Sequence, residues 1–244
     1  MSPALSAVKR RHVARKGGVN VEAIIPAAGY GKRLKSKILK PLVKINGKPL
    51  FIHTLSALAK VGSIQRIIIA VNQNGLDEFK RVLKKYKIKK EIFLVSGGET
   101  RRDSVNNCLK HISKDADFIL VHDAVRPFVS RELIAKTIKA AKDNQAAICA
   151  VPSKSTLKRL TDDYEISETL ERKNIWESQT PQVFKKDILI KAYKKYGGLD
   201  TTDDASLVEK IGIKVKVVLG SYFNIKITTP EDLVFARAIL KNKP

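Results

Sequence analysis

Short apolar runs separated by helix-patterned segments constrain this chain more than any other feature. Val21–Ile25, Arg66–Val71, Glu91–Ser96, Asp117–His122 and Ala146–Val151 are β-prone and largely apolar, as strands buried on both faces of a parallel sheet are. Between them Leu50–Val61, Leu76–Tyr86, Arg102–Ile112 and Arg131–Asp143 carry apolar residues at helical spacing. This alternation predicts βαβ units: an α/β fold with a mostly parallel twisted sheet and helices on both faces. Right-handed crossovers then put every strand-to-helix loop on one sheet edge. That edge gathers "IPAAGYGKRL", "SGGETRRDS" and "HDAVRPF".

The pattern changes after Pro152. Residues 155–176 alternate apolar and polar positions around a turn at Thr161–Tyr164, which predicts a projecting β-hairpin. An isolated hairpin is marginal in water, so the arm Lys154–Arg172 is expected to pack on a partner subunit, giving a homodimer. Helices near Lys185–Tyr196 and Asp203–Ile211, a strand at Lys214–Leu219 and a helix from Pro230 complete the plan. One domain over residues 21–241 follows a basic tail over residues 1–20, expected to be disordered. No internal repeat is evident.

With 244 residues and 43% hydrophobic content, one domain can bury a sizeable core. No apolar run approaches the roughly 20 residues of a membrane span, and residues 1–20 lack the apolar centre of a secretory signal. The cysteines, Cys108 and Cys149, are too few for a disulfide framework or a metal cluster and read as buried thiols in a reducing cytoplasm. The formal charge is +23. Lys9, Arg10, Arg11, Arg15 and Lys16 crowd the tail, and the remaining excess is spread as lysines over helix faces. No basic-aromatic motif or zinc-finger spacing accompanies it, which leaves a nucleic-acid-binding protein as a distant alternative. An anionic small substrate accounts for the charge equally well.

The loops carry the chemistry. Gly29 and Gly31 follow a buried-looking strand and let backbone N–H groups approach a phosphate, with Lys32, Arg33 and Lys40 adding charge. A plain βα turn with solvated basic residues is the alternative. Gly97 and Gly98 allow close approach of a ligand and Ser104 can bond it, while Thr100 or Asp103 can cap the helix that follows. Asp123 can orient substrate hydroxyls or a metal-phosphate group and Arg126 can grip a phosphate; a structural ion pair between them is the other reading. His122 has no nucleophile partner and reads as structural. "GYGKRL" lacks the third glycine of a dinucleotide fingerprint, which argues against a dehydrogenase.

Taken in order, "IPAAGYGKRL", "GGETRRDSV", "VHDAVRPF", "STLK", "WESQTPQVF", "TTDDASLVE" and "NIKITTPEDL" resemble the 4-diphosphocytidyl-2-C-methyl-D-erythritol synthase family, the methylerythritol-phosphate cytidylyltransferases of isoprenoid biosynthesis. The resemblance covers about Val21 to Leu240. "LKPLV" stands where that family usually has "PKQYL" and is similar to sugar-nucleotide pyrophosphorylases. "HDAVRP" replaces the commoner "HDAARP" and is shared with ribitol-phosphate cytidylyltransferases. The resemblance implies a Rossmann-like nucleotidyltransferase fold and attack of 2-C-methyl-D-erythritol 4-phosphate on the α-phosphorus of CTP, with Mg2+ as cofactor held mainly by the CTP phosphates and Asp123 as its candidate protein contact. It implies Arg33 and Lys40 as the charge-stabilising pair, Pro26, Ala27, Ala28, Gly29, Gly31, Gly98 and Ser104 around the nucleotide, and Asp123, Arg126, Thr180, Thr202 and Lys226 around the acceptor. Arg172 would reach the neighbouring subunit's site. Ribitol 5-phosphate is the rival acceptor. The chain's end at Pro244 leads to the expectation of a monofunctional enzyme.

Overall fold

The computed structural model describes residues 18–29, 31, 34 and 38–242. The leader expected over residues 1–20 lies almost wholly outside the described residues, as do Lys32 and Arg33. Chain order is β1 (Val21–Ala27), the hairpin β2 (Lys44–Ile45) and β3 (Lys48–Pro49), α1 (Leu50–Ala59), β4 (Ile64–Val71), α2 (Leu76–Tyr86), β5 (Glu91–Ser96), α3 (Arg101–Leu109), β6 (Phe118–Val121), α4 (Arg131–Asn144) and β7 (Ala146–Pro152). The arm, β8 (Lys158–Leu160) and β9 (Ile166–Thr169), precedes β10 (Trp176–Lys185), α5 (Lys186–Tyr196), α6 (Asp204–Lys210), β11 (Lys216–Leu219) and α7 (Pro230–Lys241).

Seven strands form the main sheet in the order β11-β7-β10-β6-β1-β4-β5. β1 lies parallel to both β4 and β6, β4 to β5, and β11 to β7. The chain moves from β1 toward one edge through β4 and β5, then crosses back to place β6 on the other side. The carboxyl ends of β1 and β6 therefore flank the crevice where strand order reverses, the usual ligand position in open α/β sheets.

Alternate residues of the inner strands feed two cores. Ile25, Ile67 and Ile69 pack with Phe51, Leu55 and Phe79 of α1 and α2 and with Ile134 of α4. Ile24, Ile68 and Ala70 pack with Val105 of α3, Leu189 of α5 and Leu207 of α6. Both sheet faces are covered, which is why these strands read as continuous apolar runs. Cys108 and Cys149 are free and buried. Burial pushes the Cys149 thiol up to about 12 and raises Cys108 as well, so neither is a thiolate near neutrality.

β10 is the element that the sequence pattern conceals. It runs antiparallel to both β6 and β7 in the middle of the sheet. Gln179, Thr180 and Gln182 interrupt its apolar pattern, and the register shifts between Gln179 and Gln182 around Pro181, which has no N–H for the ladder. Its buried end still belongs to the core: Phe184 is fully buried. The arm is as expected, with every residue from 158 to 169 exposed, including Leu160 at 47%, Tyr164 at 85% and Ile166 at 62%.

Phe184→Ala should lower unfolding free energy by about 3–5 kcal/mol, the usual result of emptying a buried phenylalanine site. Urea denaturation checks this; a loss under about 1 kcal/mol would mean that β10 is not integral to the core.

Candidate active site

The loops after β1 and β5 are built on close backbone contacts. α3 begins with a capping box: Asp103 N–H donates to Thr100 Oγ1 at 3.1 Å, and Thr100 N–H donates to Asp103 Oδ2 at 3.2 Å. Both capping residues considered from the sequence therefore act together. Just before it, Gly97 N–H donates to the Val71 carbonyl at 2.8 Å. A Cβ at Gly97 would stand 2.2 Å from Ala28 Cβ, and one at Gly98 would stand 2.3 Å from Asp103 Cβ. Only glycines let the loop after β5 close on both the turn after β1 and the start of α3.

Ser104 has a different role from the one expected. It is 2% exposed, its Oγ accepts the Gly98 N–H at 3.1 Å, and its hydroxyl donates to the Thr100 carbonyl at 3.0 Å. The side chain holds the loop's shape instead of facing a base.

In the first turn, Pro26 and Ala27 end β1, Ala28 is half-buried and Gly29 is exposed. Gly31 adopts φ +67, and a Cβ there would lie 2.5 Å from Lys40 Cβ. The Lys40 side chain thus packs directly on the turn, from the start of a short 3-10 segment Lys40–Leu42. The Lys-Pro-Leu departure leaves Lys40 at the Gly-rich loop. Arg33 is outside the described residues.

Asp123 follows β6 at the same edge and is 6% exposed. Its Oδ1 accepts Arg101 Nε at 3.0 Å, and its Oδ2 lies 3.1 Å from Lys226 Nζ and 3.4 Å from Arg126 Nε. Burial alone would raise this carboxyl; Arg101, Lys226 and Arg126 outweigh it and hold Asp123 well below the usual carboxylate range. Arg126 also donates to the Asn224 carbonyl at 2.8 Å and the Ser178 carbonyl at 3.5 Å. Its guanidinium is spent largely inside the fold, the structural of the two roles left open by the sequence. Lys226 is 37% exposed on its side chain and reaches the surface of the crevice.

Thr180 is likewise turned inward. It is 4% exposed; its Oγ1 accepts the Asp123 N–H at 3.0 Å and meets His122 Nδ1 at 3.0 Å. With the hydroxyl proton given to Nδ1, the His122 Nε2–H donates to the Arg126 carbonyl at 3.2 Å. His122 and Thr180 therefore fix the loop that bears Asp123, and Thr180 is not open to an acceptor as expected. Thr202 is exposed, one residue before the Asp203 cap of α6. Arg172 sits apart at the base of the arm, donating to the Lys154 carbonyl at 2.7 Å.

Sequence reasoning passed over Arg101, Asp204 and Gln182. Arg101 Nη1 lies 2.8 Å from Asp204 Oδ2, and Asp204 Oδ1 accepts from Tyr193 Oη at 2.5 Å. Gln182 Oε1 accepts from the Asp204 and Ala205 amides, while its Nε2 donates to Ser178 Oγ and Asp203 Oδ2. The signal was available: charged and amide residues inside motifs otherwise destined for a buried sheet edge must find partners.

A protein-held metal does not fit Asp123. Three cations surround the carboxylate, and among the described residues no group of three or more His, Cys, Asp or Glu could hold an ion. Nor is any helix among them long and apolar enough to cross a membrane.

Glycines at the turn after β1 and in the loop after β5, with a buried charged cluster after β6, stand at the switch point of a nucleotidyltransferase-like α/β fold. The model of the 2-C-methyl-D-erythritol 4-phosphate cytidylyltransferase family matches residues 21–242. The chain is 44% identical over 219 residues to the protein of that name from Bacillus cytotoxicus, covering 89% of this chain and 96% of that one. It is also 44% identical over 227 residues to the namesake from Alkaliphilus metalliredigens, covering 91% and 94%. The crystal structure of 4-diphosphocytidyl-2C-methyl-D-erythritol synthase from Anaerococcus prevotii superposes with TM-score 0.81 at 38% identity, covering 92% of this chain and all of that one. The chain belongs to the 2-C-methyl-D-erythritol 4-phosphate cytidylyltransferase family.

Burial lowers the His122 pKa from 6.5 to about 4 against the opposing attraction of Asp123. The fold therefore favours neutral imidazole. Stability from this preference is complete above 6.5 and is lost as pH falls from 6.5 toward 4. That shift corresponds to about 3 kcal/mol. His122→Gln should be less stable near neutrality yet lose less stability on acidification. Urea unfolding of both proteins across that range tests it; parallel pH profiles would count against the assignment.

Proposed function

We propose that this chain transfers a cytidylyl group from CTP to 2-C-methyl-D-erythritol 4-phosphate in non-mevalonate isoprenoid biosynthesis. An acceptor phosphate oxygen bonds to the α-phosphorus of CTP as the α–β bridging P–O bond breaks, and pyrophosphate leaves with those electrons. The observation carrying the reading is the family match over residues 21–242.

Such transfers depend on alignment and neutralisation of developing charge more than on covalent help. The turn after β1 would receive the triphosphate, with exposed Gly29 near its amides and Lys40 packed on Gly31. Arg33 is the second cation that the motif offers. On the acceptor side, Arg101, Arg126 and Lys226 outnumber Asp123 and Asp204, leaving excess positive charge for an anion. Lys226 has the exposure to meet the acceptor phosphate, and Asp123, fixed as an anion, suits its hydroxyls. Mg2+ is proposed as an ion carried on the CTP phosphates, where it would offset their charge.

We further propose a cytoplasmic homodimer joined through the arm. Supporting it, Leu160, Tyr164 and Ile166 are exposed on the arm, and beside its root Ile148, Trp176, Val217 and Leu219 line an apolar groove. Arg172 of one arm would serve the other subunit's acceptor site.

Pyrophosphate release over a nucleotide and acceptor panel tests the reaction. CTP with methylerythritol phosphate should exceed every other pair, ribitol 5-phosphate included; equal use of UTP would move the chain toward sugar-nucleotide chemistry. For the shared site, Arg33→Ala and Arg172→Ala should each lower activity by about 10²-fold or more, and their mixture should recover part of it in heterodimers. A fully active monomer, or no recovery in verified heterodimers, refutes sharing.

A further inference from the structure

Arg101 occupies a position that no ligand role explains. It is the first residue of α3, directly after the Thr100 cap and three residues beyond Gly98. Its side chain spans two buried carboxylates, Asp123 after β6 at 3.0 Å and Asp204 at the start of α6 at 2.8 Å. Asp204 is itself fully buried and held by Tyr193 Oη, while its backbone N–H is bound by Gln182. The bridge therefore has one rigid anchor, Asp204, and one end at the crevice, Asp123.

This arrangement is poor as a stabilising device. Arg101 Nη2 and Asp204 Oδ2 are both buried with no hydrogen-bond partner among the described residues, so Arg101 meets Asp204 as an ion pair. A buried ion network with unsatisfied polar atoms is commonly no more stable than apolar packing of the same volume. What the network supplies is geometry: one guanidinium bonds Asp123 through Nε and pairs with Asp204 through Nη1, a span that a lysine ammonium does not reproduce.

We propose that Arg101 is a positioning residue of the transfer reaction, holding the Asp123 carboxylate in register with the acceptor and tying it to the nucleotide-side loop. Asp204 is the fixed post from which Arg101 works. The inference rests on the reading of this edge as the cytidylyl-transfer site.

Steady-state kinetics of the full chain with CTP and 2-C-methyl-D-erythritol 4-phosphate test it, alongside CTP affinity of the acceptor-free protein and a thermal melt. Arg101→Lys keeps the charge and loses the fork. Its kcat/KM for the acceptor should fall by about 10–100-fold, the scale of a small misplacement of a reacting group, while CTP affinity stays within about threefold. Asp204→Asn should shift the same parameter in the same direction. The double variant should be little worse than Arg101→Lys alone, because both residues act as one unit. If Arg101→Lys does not fold, the selective acceptor defect of Asp204→Asn carries the test.

An unchanged acceptor kcat/KM in the folded variants overturns the inference, as do equal losses for both substrates or fully additive losses. Those results leave the assigned reaction standing. Absence of pyrophosphate release by the wild-type chain with any CTP and acceptor pair overturns the reaction and the inference together.

Discussion

A buried carboxylate must be neutralised or matched, and the answer given to Asp123 organises this protein's working edge. Taking that anion out of water would raise its pKa; instead three cations converge on it from α3, from its own loop and from the segment before α7. Each partner brings a different part of the chain to the end of β6. Arg101 imports the loop after β5, Arg126 bonds the Asn224 carbonyl, and Lys226 follows two residues later. Segments distant in sequence are thereby placed at one point of the crevice. Removing one member would leave the others as uncompensated buried charge, the costly way to break such a network.

Glycine performs the complementary task at the loops after β1 and β5. Charges draw the segments around Asp123 together, whereas Gly97 and Gly98 remove the side-chain volume that would keep the backbone segments apart. The result is a floor of main chain after β1 and β5, fixed by Gly97 N–H on Val71 and Gly98 N–H on Ser104. Lys40 then lies over Gly31, where φ is +67. A residue with a Cβ would meet both the steric limit on that conformation and the lysine stem. The position of Lys40, at the head of the Lys-Pro-Leu segment, follows from close packing against Gly31.

Most of the architecture was legible because its parallel strands are buried on both faces. Leu76–Tyr86 and Glu91–Ser96 coincide with the sequence-derived segments, and the others differ only at their ends. β10 was not legible, since Gln179, Thr180 and Gln182 break the apolar pattern through bonds made to other elements: Gln179 to Ser221 and Asn224, Thr180 to Asp123, and Gln182 to α6. Motifs mark out the candidate site, while side-chain direction separates internal ties from exposed groups within it. Ser104 and Thr180 lie in site motifs yet point into the fold. Arg101 lies in the same motif as Ser104 but was passed over, because the partner that gives it meaning, Asp204, is far along the chain. Hydroxyls and charges are equally plausible as ligands or as internal ties until burial separates the two.

The direction of β10 links these observations to the arm. Because β10 is antiparallel to β7, its first residues pair with the end of that strand: Trp176 stands opposite Pro152, and Glu177 opposite Val151. The chain thus leaves the sheet and returns to it at the same edge that carries the loops after β1, β5 and β6. A parallel strand would have required a crossover over the sheet's face and would have spent the intervening residues on covering core. The antiparallel return frees residues 153–175 to project outward, with the arm's apolar side chains in solvent and Arg172 at its base. It also brings Ser178, Gln179, Thr180 and Gln182 past the charged cluster on the way back in. One strand reversal therefore both braces the Asp123 loop from within and mounts the arm on the edge that carries the loops after β1, β5 and β6.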